Sequence, residues 1–546
     1  MPTYTMSCFK LPVSLCKRIQ SALTRFWWDS STEKKKMSWI AWSKMIKSKR
    51  DGGLGFRDIS NFNDALLAKI SWRILTSPSC LLAKILCGKY CKSSSFLECA
   101  APGAASHGWR GILIGRDLLK LQMGKSIGNG ANTLVWSEPW ISLSEPTIPM
   151  GPPTEFSKDL KVAELINQIS KGRNRDKIKQ LLPAYEHDIL SIRPSKLGAP
   201  NRFIWLSTKS GEYSAKSGYH VAAARARLTN DLPDPASDFN WNKEIWHKQC
   251  PPKIKFLLWK AMKNALPVGE NLKARGIKPN AVCPHCGGEE SGLHVFFLCP
   301  LAQQVWEQAP FKASLVPSQI LSLRKGLEAS AILSCLPPLG IGQNLLFPWI
   351  LWSIWTNRNK KFFEQKTQSS SDIITQAIVT VKEWTEAQIH QPKIQNLPFA
   401  PMEQTFGLDS ILCFSDTSWK AESKEAGFGW IFIDNISGVE IPNKSTANFV
   451  SSSLMAEAIA LLSAIQQASD LGFKKLSLAS DSLQLVKALK GDPHPKELRG
   501  ILFDILQISQ QFDEISFSFV KREMNLKADA LAKAALNSIS PTPVYI

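Results

Sequence analysis

A carboxylate closes the first apolar run of the C-terminal region, and no other feature constrains the chain as much. The stretch is CFSDTSWKAESKEAGFGWIF, residues 413–432. The apolar run 411–414 predicts a strand, Ser415 and Asp416 end it, and residues 427–433 predict a second strand after a polar turn. Aspartate is common at turns, so Asp416 alone reads as well as a turn residue as it does as a metal ligand. A ligand needs partners, and the rest of the region must supply them.

Three further acids stand at suggestive places. SSSLMAEAIALLSAIQQASDLG, residues 451–472, predicts a helix with an apolar stripe at 454, 458, 461, 462 and 465, and Glu457 falls within it. Desolvation would expel a carboxylate from such a stripe unless a cation compensates it; the alternative is an edge glutamate that reaches water. KKLSLASDSLQLVKALKG, residues 474–491, alternates like a strand and then turns helical, with Asp481 at the junction, where an N-cap would also favour an acid. Strand, helix and strand from 411 to 481 fit a parallel crossover, which would stand Asp416 and Asp481 at the same end of neighbouring strands. EISFSFVKREMNLKADALAKAALN, residues 514–537, predicts a strand, a turn and an Ala-rich helix. Asp529 lies in that helix's first turn, where an acid also complements the positive helix end. Four acids in this order are harder to dismiss together than singly. Carboxylate oxygens are hard donors suited to magnesium. Two such ions, about 4 Å apart, can activate water and stabilise the leaving oxygen of a phosphodiester.

A second cluster lies in CPHCGGEESGLHVFFLCP. Cys283 and Cys286 form a C-x2-C turn, Gly287 and Gly288 let the backbone bend away, and His294 and Cys299 follow. Two thiolates on one turn, with a histidine and a third cysteine on the next segment, complete the tetrahedron that zinc prefers. With all four positions filled by protein, the site is structural. His285, inside the turn, is expected to point outward, and reduced cysteines in a helical core are the alternative to zinc.

Composition sets the frame. A chain of 546 residues is too long for one domain, and three or four are expected. Nineteen Trp argue for sizeable cores. The net charge is +20, unevenly spread: residues 1–100 hold 17 Lys or Arg against 6 Asp or Glu, whereas 409–540 hold 13 against 16. The basic excess therefore lies upstream and suggests contact with a polyanion, most simply nucleic acid. No secretory signal opens the chain, no apolar stretch is long enough to span a membrane, and twelve Cys do not amount to a disulfide framework. Residues 126–141 predict a turn and a short strand, 145–200 mostly helix, 345–366 one apolar helix, and 391–407 a linker. This suggests segments 1–150, 151–310, 311–407 and 408–540.

Residues 408–540 resemble the ribonuclease H family, in the version carried by plant LINE-type retroelements and their domesticated relatives. CFSDTSW…GFGW, MAEAIAL, ASDSLQLV and KREMNLKADALAK match its four acidic elements at Asp416, Glu457, Asp481 and Asp529. The resemblance implies a C-terminal α/β fold, a five-stranded mixed sheet flanked by helices, following helical N-terminal and middle regions with a zinc-binding module. It implies magnesium-dependent hydrolysis of the RNA strand of an RNA–DNA hybrid, leaving a 3′-hydroxyl. Asp416 and Asp481 would hold or bridge two ions, with Glu457 and Asp529 completing the shells. Many members carry a mobile His loop before the fourth acid; here the segment is the shorter VKREMN, with Arg522 and no His, which touches efficiency rather than reaction class. His494 reads as a surface loop residue. The Cys cluster, with PPKIKFLLWKAMKNALPVGENLKARGI before it and CPLAQQVW after it, resembles the zinc-binding region that follows reverse transcriptase in these elements. GGLGFRDISNFNDALLAKISWRIL and GNGANTLVWSEPWI resemble the tail of the same polyprotein. Residues 1–400 show no paired-Asp polymerase signature, so a truncated retroelement product without the polymerase palm is expected. Hybrid binding would rest on the upstream lysines. Two other readings remain open: a catalytically idle nucleic-acid binder, and a retroelement relic. The sequence specifies neither oligomeric state nor compartment; a nuclear setting follows from the resemblance alone.

Overall fold

The computed structural model describes the chain except for residues 1, 30, 32, 34, 152, 156, 168–170, 231–238, 278–281, 343–344, 390–409, 492–493 and 540–546. The linker expected at 391–407 lies outside the described residues. Two compact units form, each from separate stretches: residues 1–11, 60–229 and 401–546 make one, and 12–59 with 230–400 the other. These units divide at points other than residues 150 and 310, because helices distant in sequence pack together.

The first unit contains helices α1 (Ile59–Thr76), α2 (Leu81–Tyr90) and α3 (His107–Lys120). A small antiparallel pair follows, β1 (Met123–Ser126) with β2 (Arg202–Trp205). The short strand expected within 126–141 reduces to one isolated bridge, Leu134 to Lys161; the regular strand lies just before it. Of the helix expected over 145–200, the described residues form short pieces, such as the helices Arg175–Leu181 and Glu186–Ser191, since prolines punctuate the segment.

The C-terminal part of this unit is an α/β layer. Strands β3 (Ile411–Trp419), β4 (Ala426–Asp434) and β5 (Glu440–Ala447) form an antiparallel meander. Helix α4 (Ser453–Asp470) leads to β6 (Lys475–Ser480). Helices α5 (Leu483–Leu489) and α6 (Arg499–Ser509) then lead to β7 (Glu514–Phe519) and α7 (Leu526–Asn537). The sheet order is β5-β4-β3-β6-β7, with β6 parallel to both β3 and β7.

Strand β3 runs to Trp419, beyond the predicted end at 414, so Asp416 lies inside a nine-residue strand opposite Gly429. The nearly continuous burial of β4 identifies it as a central strand covered on both faces. Its alternation sorts the two helices. Trp430 donates from Nε1 to Gln467 of α4 at 2.6 Å, while Gly427 and Gly429 face α7. A Cβ on Gly429 would stand 2.5 Å from Ala528 O and from Ala532 N. Glycines on the strand, and buried Ala528, Ala532 and Ala535 on the helix, let the two backbones approach closely. That approach sets where Asp529 stands. The Ser452 hydroxyl caps α4 by accepting from Met455 N at 3.1 Å.

The second unit is helical, with Trp259, Trp306, Phe296 and Phe297 fully buried. The apolar helix expected at 345–366 forms as Phe347–Glu364. Its Arg358 is buried and donates from Nε and Nη2 to both oxygens of Glu290, at 2.7 and 2.6 Å. Glu290 also accepts from Gly269 N at 2.8 Å, so the ion pair ties down the segment after the Cys turn. Among the described residues no helix is long and apolar enough to cross a membrane.

Candidate active site and candidate metal centre

The parallel register of β3 and β6 sets Ser415 opposite Ser480, so Asp416 and Asp481 leave the ladder side by side. Helix α4 brings Glu457 to the same place. One carboxylate oxygen from each of Asp416, Glu457 and Asp481 lies within 4.8 Å of the others. Asp416 is only 3% exposed. One of its oxygens accepts from Thr417 N at 2.7 Å; Oδ2 of Asp416 and Oε2 of Glu457 are buried with no hydrogen-bond partner. Burial, then the neighbouring charge of Asp481, pushes the Asp416 carboxyl up to about 7. Burial, then Asp416 and Asp481, pushes Glu457 up to about 9. Arg522 opposes both shifts from the turn before α7. Buried carboxylate oxygens without donors, beside a third acid, are a donor set that fits a hard divalent cation.

Asp529 stands apart from these three. It occupies the first turn of α7, but Lys533, one turn on, holds its Oδ2 at 2.6 Å, and Arg522 is 3.9 Å from Oδ1. Its charge still contributes to the raised Asp416 carboxyl.

One residue of the site was not singled out in the sequence. Asn525 is 1% exposed and donates from Nδ2 to Ser415 O at 3.0 Å, one residue before Asp416. A polar residue just ahead of an Ala-rich helix was the available signal. Asn525→Ala leaves the Ser415 carbonyl without this donor and is expected to cost about 1–3 kcal/mol in urea unfolding. His494, as expected, is exposed.

The Cys quartet also assembles. Cys283, Cys286, His294 and Cys299 place their donor atoms within 4.8 Å of one another. Cys283 Sγ and Cys299 Sγ are 3.8 Å apart, the edge of a tetrahedron with Zn–S bonds of about 2.3 Å. Cys286 Sγ lies 3.2 Å from His294 Nε2. The turn is held by Cys283 N donating to Gly288 O, and Gly287 takes the left-handed conformation it requires, φ 76°. Cys299, hydrogen-bonded to Cys283, and then the nearby His294 pull the Cys283 thiol well below the usual range. The donors fit zinc by type, number and spacing. His285 departs from expectation: it lines a small cavity with Cys283, Cys299 and Arg358, and its Nε2 is buried without a partner.

Comparison with known proteins follows this division. Residues 414–535 match the family described as "Reverse transcriptase-like", and residues 213–306 match "zinc-binding in reverse transcriptase". An uncharacterized mitochondrial protein of Arabidopsis thaliana is 48% identical over 151 residues, 28% of this chain and 98% of that protein. The chain belongs to the retroelement-derived ribonuclease H-like proteins. A second Arabidopsis thaliana relative, provisionally named a ribonuclease H protein, is 29% identical over 412 residues, 70% of this chain. The chain spans 61% of that relative's length. A solved structure, ribonuclease H1 of the archaeon Halobacterium salinarum, is 28% identical, with a TM-score of 0.23 over 23% of this chain and 98% of that one. In this ribonuclease H-like protein all four acids lie inside the first matched span, and the whole Cys/His quartet inside the second.

Proposed function

We propose that this protein is an endoribonuclease that hydrolyses the RNA strand of RNA–DNA hybrids with two magnesium ions. The observation that carries the reading is the convergence of Asp416, Glu457 and Asp481, two of them with buried, unpartnered oxygens. Asp416 and Asp481 would hold the ions from neighbouring strands, Glu457 would close the pocket from α4, and Asp529 would join when substrate charge draws Lys533 away. Bound magnesium supplies water activation and charge stabilisation at the leaving oxygen. The side chains do the rest: the sheet keeps the acids in register, and burial keeps bulk water from screening them. The basic segment 1–100 would hold the polyanion, and the segment 408–540 would act as the catalytic domain.

A second reading, a catalytically idle nucleic-acid binder, draws on one observation: Asp529 is engaged by Lys533 and lies outside the three-acid cluster. Incubating the full chain with hybrid and magnesium decides between them. The nuclease reading expects cutting that EDTA abolishes; hybrid bound tightly at saturating magnesium and left intact favours the idle binder.

The Cys/His quartet would hold one structural zinc. Metal analysis of the purified chain is expected to give about one zinc per chain, falling towards zero in Cys286→Ser. Equal zinc in both proteins would rule the quartet out.

A further inference from the structure

Four of the twelve cysteines fall within twenty residues: Cys80, Cys87, Cys91 and Cys99. Neither the acid pocket nor the Cys/His quartet uses them. Cys91 is the C-cap of α2, and its thiol donates to Cys99 Sγ at 3.2 Å. A further approach of only about 1 Å reaches the length of a disulfide bond. Cys87 lies one helical turn before Cys91, and its carbonyl accepts from Cys91 N at 2.8 Å. Cys99 is 2% exposed, whereas Cys87 and Cys91 are half-buried.

Beside Cys99 stands a buried cation. Arg116 of α3 places Nη1 3.9 Å from Cys99 Sγ, and the same nitrogen donates to the carbonyls of Cys99 and Phe96. The rest of the guanidinium is paired with Asp117, whose Oδ1 accepts from Nε at 2.9 Å and from Nη2 at 2.8 Å. The cluster is not a metal site of the quartet's kind: among the described residues, only the quartet and the acid pocket bring three donors within 4.8 Å of one another.

We propose that Cys91 and Cys99 are a reversible redox site that takes a small-molecule disulfide as oxidant, with Cys87 as a third thiol able to exchange with the pair. The half-buried Cys91 loses its proton and its sulfur attacks the oxidant R–S–S–R. A Cys91–S–S–R mixed disulfide forms and one RS⁻ leaves, taking up a proton. Cys99, its thiol 3.2 Å from Cys91 Sγ, then gives up its proton to the second leaving group and attacks the Cys91 sulfur. The Cys91–Cys99 bond forms, the mixed disulfide breaks, and a second RS⁻ leaves. Two protein thiols are oxidised and one oxidant disulfide is reduced to two thiols. Burial pushes the Cys91 thiol up, so the first step is slow at neutral pH. The new bond would staple the C-terminus of α2 to the turn whose carbonyls grip Arg116, and so to α3.

The test uses the full chain, treated with oxidised glutathione at mildly alkaline pH, alkylated, digested with trypsin and mapped by mass. Lys92 lies between the two cysteines, so trypsin separates them unless a bond joins them. The expected product is one linked peptide pair carrying Cys91 and Cys99, about 2 Da lighter than its separate parts and released by dithiothreitol. Cys87→Ser should retain the bond. Cys91→Ser and Cys99→Ala should each lose it, with circular dichroism showing both folded. Alkylation of Cys91 and Cys99 at full level while other cysteines oxidise would overturn the proposal, as would a Cys87–Cys91 bond with Cys99 free.

Discussion

Asp416→Asn is expected to abolish hybrid cleavage and, without metal, to make the protein more stable than the wild type. The amide keeps the shape and removes the charge. Loss of one group aimed at charge in the transition state typically lowers kcat about 10²–10³-fold, and a metal ligand should cost at least that. The stability effect has the opposite sign. In the folded protein the Asp416 carboxyl sits at about 7 and that of Glu457 at about 9, both above the ordinary carboxylate range. A group raised on folding contributes stability that is fully present below its unfolded pKa and is lost as pH rises through its folded one. In EDTA the wild type should therefore lose stability as pH climbs from about 4 to 9. Asp416→Asn removes the first part of that loss and relieves Glu457 of a neighbouring charge. At pH near 8 its melting temperature in EDTA should exceed the wild type's by about 2–4 °C for each kcal/mol relieved. Magnesium should raise the wild type and leave the variant unmoved. A variant that melts below the wild type in EDTA at this pH would contradict the pocket as described.

The second large effect concerns Gly429. Backbone preference alone favours alanine over glycine inside a strand by roughly 0.5–1 kcal/mol. Packing says the reverse: the added Cβ would stand 2.5 Å from Ala528 O and Ala532 N, both backbone atoms of α7 that no rotamer change can move. The helix must lift off β4, loosening buried Ala528, Ala532 and Ala535 and displacing Asp529 with its turn. Gly429→Ala is therefore expected to lose about 2–3 kcal/mol in urea unfolding. A gain in stability would show that propensity wins and that the close approach is not real.

What could be read in advance was local. The strand order of the acids, the stripe holding Glu457 and the spacing of Cys283, Cys286, His294 and Cys299 follow from periodicity and short-range geometry; the structure brings three of the four acids together, and the Cys/His quartet. The misses were nonlocal. The apolar run of β3 stops at 414, where a polar residue and a carboxylate read as a terminator; pairing with β4 carries the strand on to Trp419. Asn525 matters because it reaches Ser415, 110 positions away in sequence, which no pattern reveals. Asp529 is the local exception: it shares the family spacing, yet Lys533, one turn on along the same helix, holds it. His285 was expected outward, but the packing of Arg358 and Cys299 makes an inward cavity for it. The two interleaved units depend on helices from distant segments choosing one another, and amphipathic patterns do not name partners.

The most direct measurement is strand-specific. A hybrid labelled separately on its RNA and DNA strands is incubated with the full chain in magnesium, alongside Asp416→Asn and an EDTA control. The expected result is a shortened RNA label, an intact DNA label, and neither change in the variant or in EDTA. RNA cut equally by Asp416→Asn, or no cutting by a wild type that demonstrably binds both hybrid and magnesium, would contradict the account.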